Sequence, residues 1–208
     1  MKCPKCGSRK LAPILYGMPA YNEEMQRKLD KKELVLGGCC ITGADPEYHC
    51  FGCYRDVCKP PVLISARGRE DYRDIVTSVQ FFRWPSEGAS SSVWIKKMGD
   101  GVFYVEAYSG DGFVRRGVKE PEWKRLLNTL YGKLYLHEWK KRYEGPQEPG
   151  GEEWLLEITL TDGRIRTYRG RGAYPPYWKE LQEAFRPFLR RPAYPLRGSG
   201  RPTGKSVK

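Results

Sequence analysis

Two Cys-x-x-Cys pairs constrain this chain more than any other feature. Cys3 and Cys6 sit in Cys3-Pro4-Lys5-Cys6-Gly7, and Cys50 and Cys53 sit in His49-Cys50-Phe51-Gly52-Cys53. Each pair forms a tight knuckle in which both thiolates face one metal and backbone N–H groups of the turn point at the sulfurs. Gly7 stands where a knuckle often needs a positive φ, and Gly52 lies inside the second knuckle. Two knuckles complete a tetrahedron with no open position, the structural kind of zinc site. The sequence therefore predicts one structural Zn2+ on Cys3, Cys6, Cys50 and Cys53. Four thiolates leave such a centre doubly negative, and Lys2, Lys5, Arg9, Lys10, Arg55 and Lys59 are close enough in sequence to offset it.

Forty-three residues separate the pairs, more than the compact spacing of many such sites. The extra loop is tolerable. Lengthening it from roughly 17 residues costs only about 0.8 kcal/mol of closure entropy, against roughly 10–16 kcal/mol of apparent binding for structural zinc in small peptides. The insert also carries structure of its own. Leu11 to Tyr16 reads as a strand, Asn22 as the cap of a helix running to about Leu29, and Leu34-Val35-Leu36 as a strand entering Gly37-Gly38. Disulfides are the alternative use of these cysteines. The start of the chain lacks an apolar leader and no run of eighteen apolar residues occurs, so a cytoplasmic setting without membrane insertion is expected, where thiols stay reduced. Thioredoxin-like chemistry uses one pair at a helix start, not two matched pairs.

Residues 1–60 resemble the zinc-ribbon proteins of the rubredoxin-like, four-cysteine kind, and more narrowly a group of short bacterial proteins of uncharacterised function. The residues that carry the resemblance are Cys3-Pro4-Lys5-Cys6-Gly7, Ile14-Leu15-Tyr16-Gly17-Met18-Pro19, Leu36-Gly37-Gly38-Cys39 and His49-Cys50-Phe51-Gly52-Cys53. It implies zinc and a ribbon, and no reaction. The chain departs from it at Tyr54, where a glycine is common.

Lys59-Pro60-Pro61 is stiff and marks a boundary. Residues 61–189 read as an α+β domain, opening with a strand from Ile75 to Trp84. An internal echo follows. Trp94 to Lys97, Asp100-Gly101, Phe103 to Val105 and Pro121 to Leu126 are answered by Trp154 to Ile158, Asp162-Gly163, Ile165 to Tyr168 and Pro176 to Leu181. Both copies read strand, turn, strand, then a helix with Pro in its first turn. Trp123, Leu126, Leu127, Leu130 and Leu134 share one helical face, as do Trp178, Leu181, Phe185 and Phe188, with Pro187 expected to end that helix near Arg186. The predicted fold is α+β: a four-cysteine zinc ribbon followed by two ββα units whose hairpins form one antiparallel sheet with both helices on one side. The stretch from Trp154 through Ala173-Tyr174-Pro175 to Leu181 is similar to the end of a small domain of unknown function in other bacterial proteins, which again implies no activity.

Little in the chain reads as catalytic. His137 is the lone histidine of the second part, and no nucleophile elbow, phosphate loop or His-Glu-x-x-His motif is present. Cys39, Cys40 and Cys58 read as small buried residues. An enzyme with a site at Cys39-Cys40 is the sharper alternative. Gly170-Arg171-Gly172 reads as a loop into the last helix rather than an anion cradle, and His49 as a neighbour of the metal site rather than a ligand. The net charge of +12 suggests a polyanionic partner, yet six of the basic residues lie in 190–208 with no acid, a segment expected to be a disordered basic tail. The expected function is a non-enzymatic interaction or adaptor module with a macromolecular partner, a protein ahead of a nucleic acid. Nucleic-acid binding through the ribbon and tail is the alternative.

Overall fold

A period of two in the strands and of three to four in the helices sets the layers of this molecule. The computed structural model describes residues 1–39, 41, 45–58, 62–65, 68–145 and 151–190. The expectations on Cys40, Lys59-Pro60-Pro61 and the tail beyond 190 lie outside these residues.

The chain opens with β1 (Leu11–Leu15), α1 (Glu23–Asp30) and β2 (Val35–Leu36), followed by β3 (Pro46–Cys50) and β4 (Arg55–Cys58). These strands form one sheet in the order β2-β1-β3-β4. The Asn22 side chain accepts a hydrogen bond from the Met25 N–H at 2.9 Å, and Glu23 and Glu24 occupy the first turn, so the cap read from the sequence is in place. No residue of α1 is buried. β3 and β4 flank the second knuckle and were not legible as strands, because Pro46 to Cys50 shows no clean apolar alternation.

Next come β5 (Val62–Ser65) and β6 (Gly68–Asp71), paired with each other, and then α2 (Tyr72–Ile75) and β7 (Val76–Trp84). β8 (Ser91–Lys97), β9 (Phe103–Ser109), β10 (Gly112–Val118) and α3 (Glu120–Leu127) follow. α3 passes into a π-helical turn over Asn128–Lys133 and a 3-10 turn at Leu136–Glu138. The last elements are β11 (Arg142–Glu144), β12 (Glu153–Leu160), β13 (Ile165–Arg171) and α4 (Trp178–Leu189).

β10-β9-β8-β7-β12-β13-β11 make a single seven-stranded sheet. The class is α+β, but the expected ββα echo is not reproduced as a repeat. A second turn at Gly110-Asp111 inserts β10 between β9 and α3, with Gly112 at φ +115°. β11 joins β13 in parallel, so the sheet is mixed rather than antiparallel throughout.

One face of the sheet is closed. Val79, Phe81, Val93, Ile95, Val105, Ala107, Leu156 and Ile158 are buried together with Trp123, Leu126, Leu127 and Leu130 of the α3 region and Leu181, Phe185 and Phe188 of α4. Both helical stripes therefore pack as their spacing requires. α4 runs to Leu189 with Pro187 inside it, past the predicted stop. Burial of Phe188 in the same core, with the Arg116 guanidinium over its ring, holds the last turn despite the missing N–H.

Candidate metal centre

β1 and β3 pair with Leu11 opposite Cys50, so the end of the first knuckle lies beside the start of the second. The two knuckles are built alike. The Gly7 N–H donates to the Cys3 carbonyl at 2.8 Å, and the Tyr54 N–H donates to the Cys50 carbonyl at 2.7 Å. The residue after each second cysteine is left-handed: Gly7 at φ +78° and Tyr54 at φ +54°. The tyrosine therefore adopts the glycine conformation of the motif at the cost that a Cβ carries there. Gly52 is needed for close approach, since a Cβ on it would lie 2.6 Å from the Ser8 side chain.

The ligand atoms of Cys3, Cys6, Cys50 and Cys53 all lie within 4.8 Å of one another. Cys3 Sγ is 3.9 Å from Cys53 Sγ, and Cys6 Sγ is 3.7 Å from Cys50 Sγ. Disulfide sulfurs lie about 2.05 Å apart, whereas a tetrahedron with metal–sulfur bonds of about 2.3 Å has edges of roughly 3.8 Å. The spacing fits four ligands around one ion. Cys3 and Cys50 are fully buried and Cys6 is exposed at the rim.

The electrostatics fit a cation as well. Burial raises the Cys3 thiol, against backbone N–H groups of Cys6 and Lys5 directed at its sulfur. Burial also opposes ionisation of Cys50, but the Cys53 and Gly52 N–H groups and the adjoining thiols outweigh it and bring that thiol down to about 7. Cys53 is pushed up to about 12 by burial and by Cys6, Cys50 and Cys3 beside it. The Cys50 thiol ionises most readily while Cys3 and Cys53 are held protonated, and a bound cation is what would bring these thiols to thiolates together.

Other residues singled out in the sequence fall elsewhere. His49 Nδ1 contacts Asp56 Oδ1 at 2.7 Å, edge-on to Phe51, and is no part of the cluster. Cys39 is exposed rather than buried, and Cys58 is half-buried. Gly170 is a strand residue beneath the Trp154 indole. A Cβ there would lie 2.4 Å from Trp154 Nε1, which donates to the Ala173 carbonyl at 2.9 Å. This packing explains the glycine without an anion.

Lys2 and Lys5 do not serve chiefly as counter-charges to the thiolates. Lys2 Nζ lies 2.7 Å from Glu180 Oε1, and Lys5 Nζ lies 3.0 Å from Glu138 Oε2. They belong to a clamp between the first knuckle and the larger sheet's helical layer. The Lys2 N–H donates to Tyr177 Oη at 2.8 Å, and the Tyr177 hydroxyl is also hydrogen-bonded to the Lys2 carbonyl. The Cys58 N–H donates to Glu138 Oε1 at 2.9 Å, and His137 Nε2 meets the Cys58 carbonyl at 3.0 Å. Tyr135, at φ +51°, is buried in one cluster with Cys3, Cys50 and Val57. Sequence reasoning missed this clamp: its partners are up to 178 positions apart, and no local pattern joins them.

Compared with protein-family models, curated proteins and solved structures, the chain matches none. Among the described residues, no helix is long and apolar enough to cross a membrane.

Proposed function

We propose that Cys3, Cys6, Cys50 and Cys53 hold one structural Zn2+, in the manner of a zinc ribbon, and that the protein acts by binding a macromolecule rather than by catalysis. The observation that carries this reading is the set of sulfur separations, 3.7 and 3.9 Å, at the edge length of a closed tetrahedron. Four protein ligands fill such a shell and leave no position for substrate. Zinc also suits thiols kept reduced in a cytoplasmic setting. The metal's work is then to fold the first sheet and to present Lys2, Lys5 and Tyr135's pocket to the clamp.

Cobalt replacement tests the closed shell. Co2+-loaded protein is expected to show intense sulfur-to-cobalt charge transfer and tetrahedral d–d bands that do not move when imidazole, cyanide or a hydroxamate is added. Bands that shift with these ligands would reveal an open coordination position and overturn the structural reading.

A further inference from the structure

Among the described residues the helices and the buried core lie on one face of the seven-stranded sheet, and its other face is ordered in rows. The register aligns Phe113 with Tyr108, Tyr108 with Ser92, Ser92 with Phe82, and Phe82 with Leu155. Leu155 in turn aligns with Arg169, and Arg169 with Arg142. Across seven strands this row is roughly 29 Å long. Trp84 stands beside it, stacked on Phe82 with centroids 5.5 Å apart and planes 5° from parallel. Trp84, Tyr108 and Phe113 are 46%, 47% and 57% exposed.

The neighbouring rows are satisfied internally. Trp94 carries the Lys96 ammonium over its ring and donates its Nε1–H to Ser78. Tyr104 carries the Arg115 guanidinium, which also lies 3.2 Å from Glu106. Arg171 lies 3.2 Å from Glu153. The first row differs. Among the described residues its aromatic faces carry no cation, and Arg142 and Arg169 are exposed register partners with no acidic partner. Like charges held directly opposite each other repel, and both line one open cleft of about 450 Å³ with Trp84 and Leu155, where Glu153 is already paired with Arg171 and Glu144 is the other carboxylate. Guanidiniums without an ion-pair partner among the described residues, next to aromatic rings that carry no cation, are complementary to a phosphate joined to a base: the anion bridges the arginines while bases stack along the row.

We propose, building on the binding role above, that this row takes single-stranded nucleic acid, with phosphate on Arg142 and Arg169 and bases on Trp84, Phe82, Tyr108 and Phe113. Duplex is disfavoured, because its bases offer no free faces to a flat aromatic row.

The test is fluorescence anisotropy of labelled dT12, rU12 and a 12-base-pair duplex with the full chain at about 50 mM salt. Zinc content and far-UV circular dichroism are measured on the same samples, so failure of the metal reading is seen separately. Single strands are expected to bind more tightly than duplex. Trp84→Ala should weaken them by roughly 5- to 150-fold, while Trp84→Phe retains binding. Arg142→Ala combined with Arg169→Ala should lower the logarithmic salt slope by about 1.4, two phosphates' worth. A chain ending at residue 190 should keep all of these differences. Folded, zinc-loaded protein that binds neither oligonucleotide would overturn the proposal. So would binding that is indifferent to these variants and lost with the tail. Self-association abolished by Trp84→Ala in a protein that ignores oligonucleotides would make the row a protein contact, and would overturn it equally.

Discussion

Two single residues show how the environment of the metal centre is made. Tyr54 follows Cys53 at φ +54°, where Gly7 follows Cys6 at φ +78°. A side chain in this region costs on the order of 1 kcal/mol, and Tyr54 is 77% exposed, so little packing offsets it. Tyr54→Gly is therefore expected to stabilise the first sheet by up to about 1 kcal/mol, read as a higher chelator concentration needed to strip the metal. An unchanged or lower value would show that the tyrosine is held by contacts that outweigh its strain. His137 is the second case. Burial holds its imidazole below the ordinary value, against the Cys58 carbonyl and Glu138. Nε2 meets the carbonyl, while Nδ1 is buried without a partner among the described residues, so a second proton finds no acceptor there. The folded protein prefers the neutral ring, and the unfolded chain takes up protons first below about pH 6.5. The contribution is whole above that pH and is lost as pH falls through the depressed folded value. Denaturant titrations across that window should show wild type losing more stability than His137→Gln, and parallel curves would contradict the assignment.

At the scale of elements, the strands closed by tertiary packing follow their sequence patterns and the exceptions have physical causes. Trp154, Leu156 and Ile158 alternate into the core as their spacing dictates, and the α4 stripe of Leu181, Phe185 and Phe188 does the same. Gly170 is fixed by its neighbour. Adding a methyl group would force it against the Trp154 indole and the Ala173 carbonyl, 2.4 and 2.5 Å away. Gly170→Ala should cost about 3 kcal/mol, seen as a lower unfolding midpoint, and a loss below half of that would mean β13 shifts cheaply. The four-cysteine cluster was legible because Cys-x-x-Cys is a local pattern with one geometry. β10 was not, since Ser109-Gly110-Asp111-Gly112 reads as a loop until its partner strand is known. The uncovered row was illegible for the same reason: Phe113, Tyr108, Phe82 and Arg169 become neighbours only through register. Pro187 misled because its local cost is real, but burial of Phe188 exceeds it.

At the scale of the molecule, a clamp joins the four-stranded and seven-stranded sheets, with the β5–β6 hairpin lying between them along the chain. Tyr135 enters the cluster around Cys3 and Cys50, while Lys2 and Lys5 reach Glu180 and Glu138 from either side of the same knuckle. Removing the metal should therefore raise amide exchange in residues 1–58 and also in 134–139 and 175–180, with β7, β8 and β12 still protected by their own core. The central claim, that one zinc on four cysteines organises this arrangement, is tested most directly by metal content. Protein purified without added metal is measured by native mass spectrometry and elemental analysis, beside Cys50→Ser. About one zinc per chain in the wild type, absent or loosely held in the variant, is the predicted result. A wild-type chain that is folded over residues 1–58 with no metal and four freely reactive thiols would contradict it.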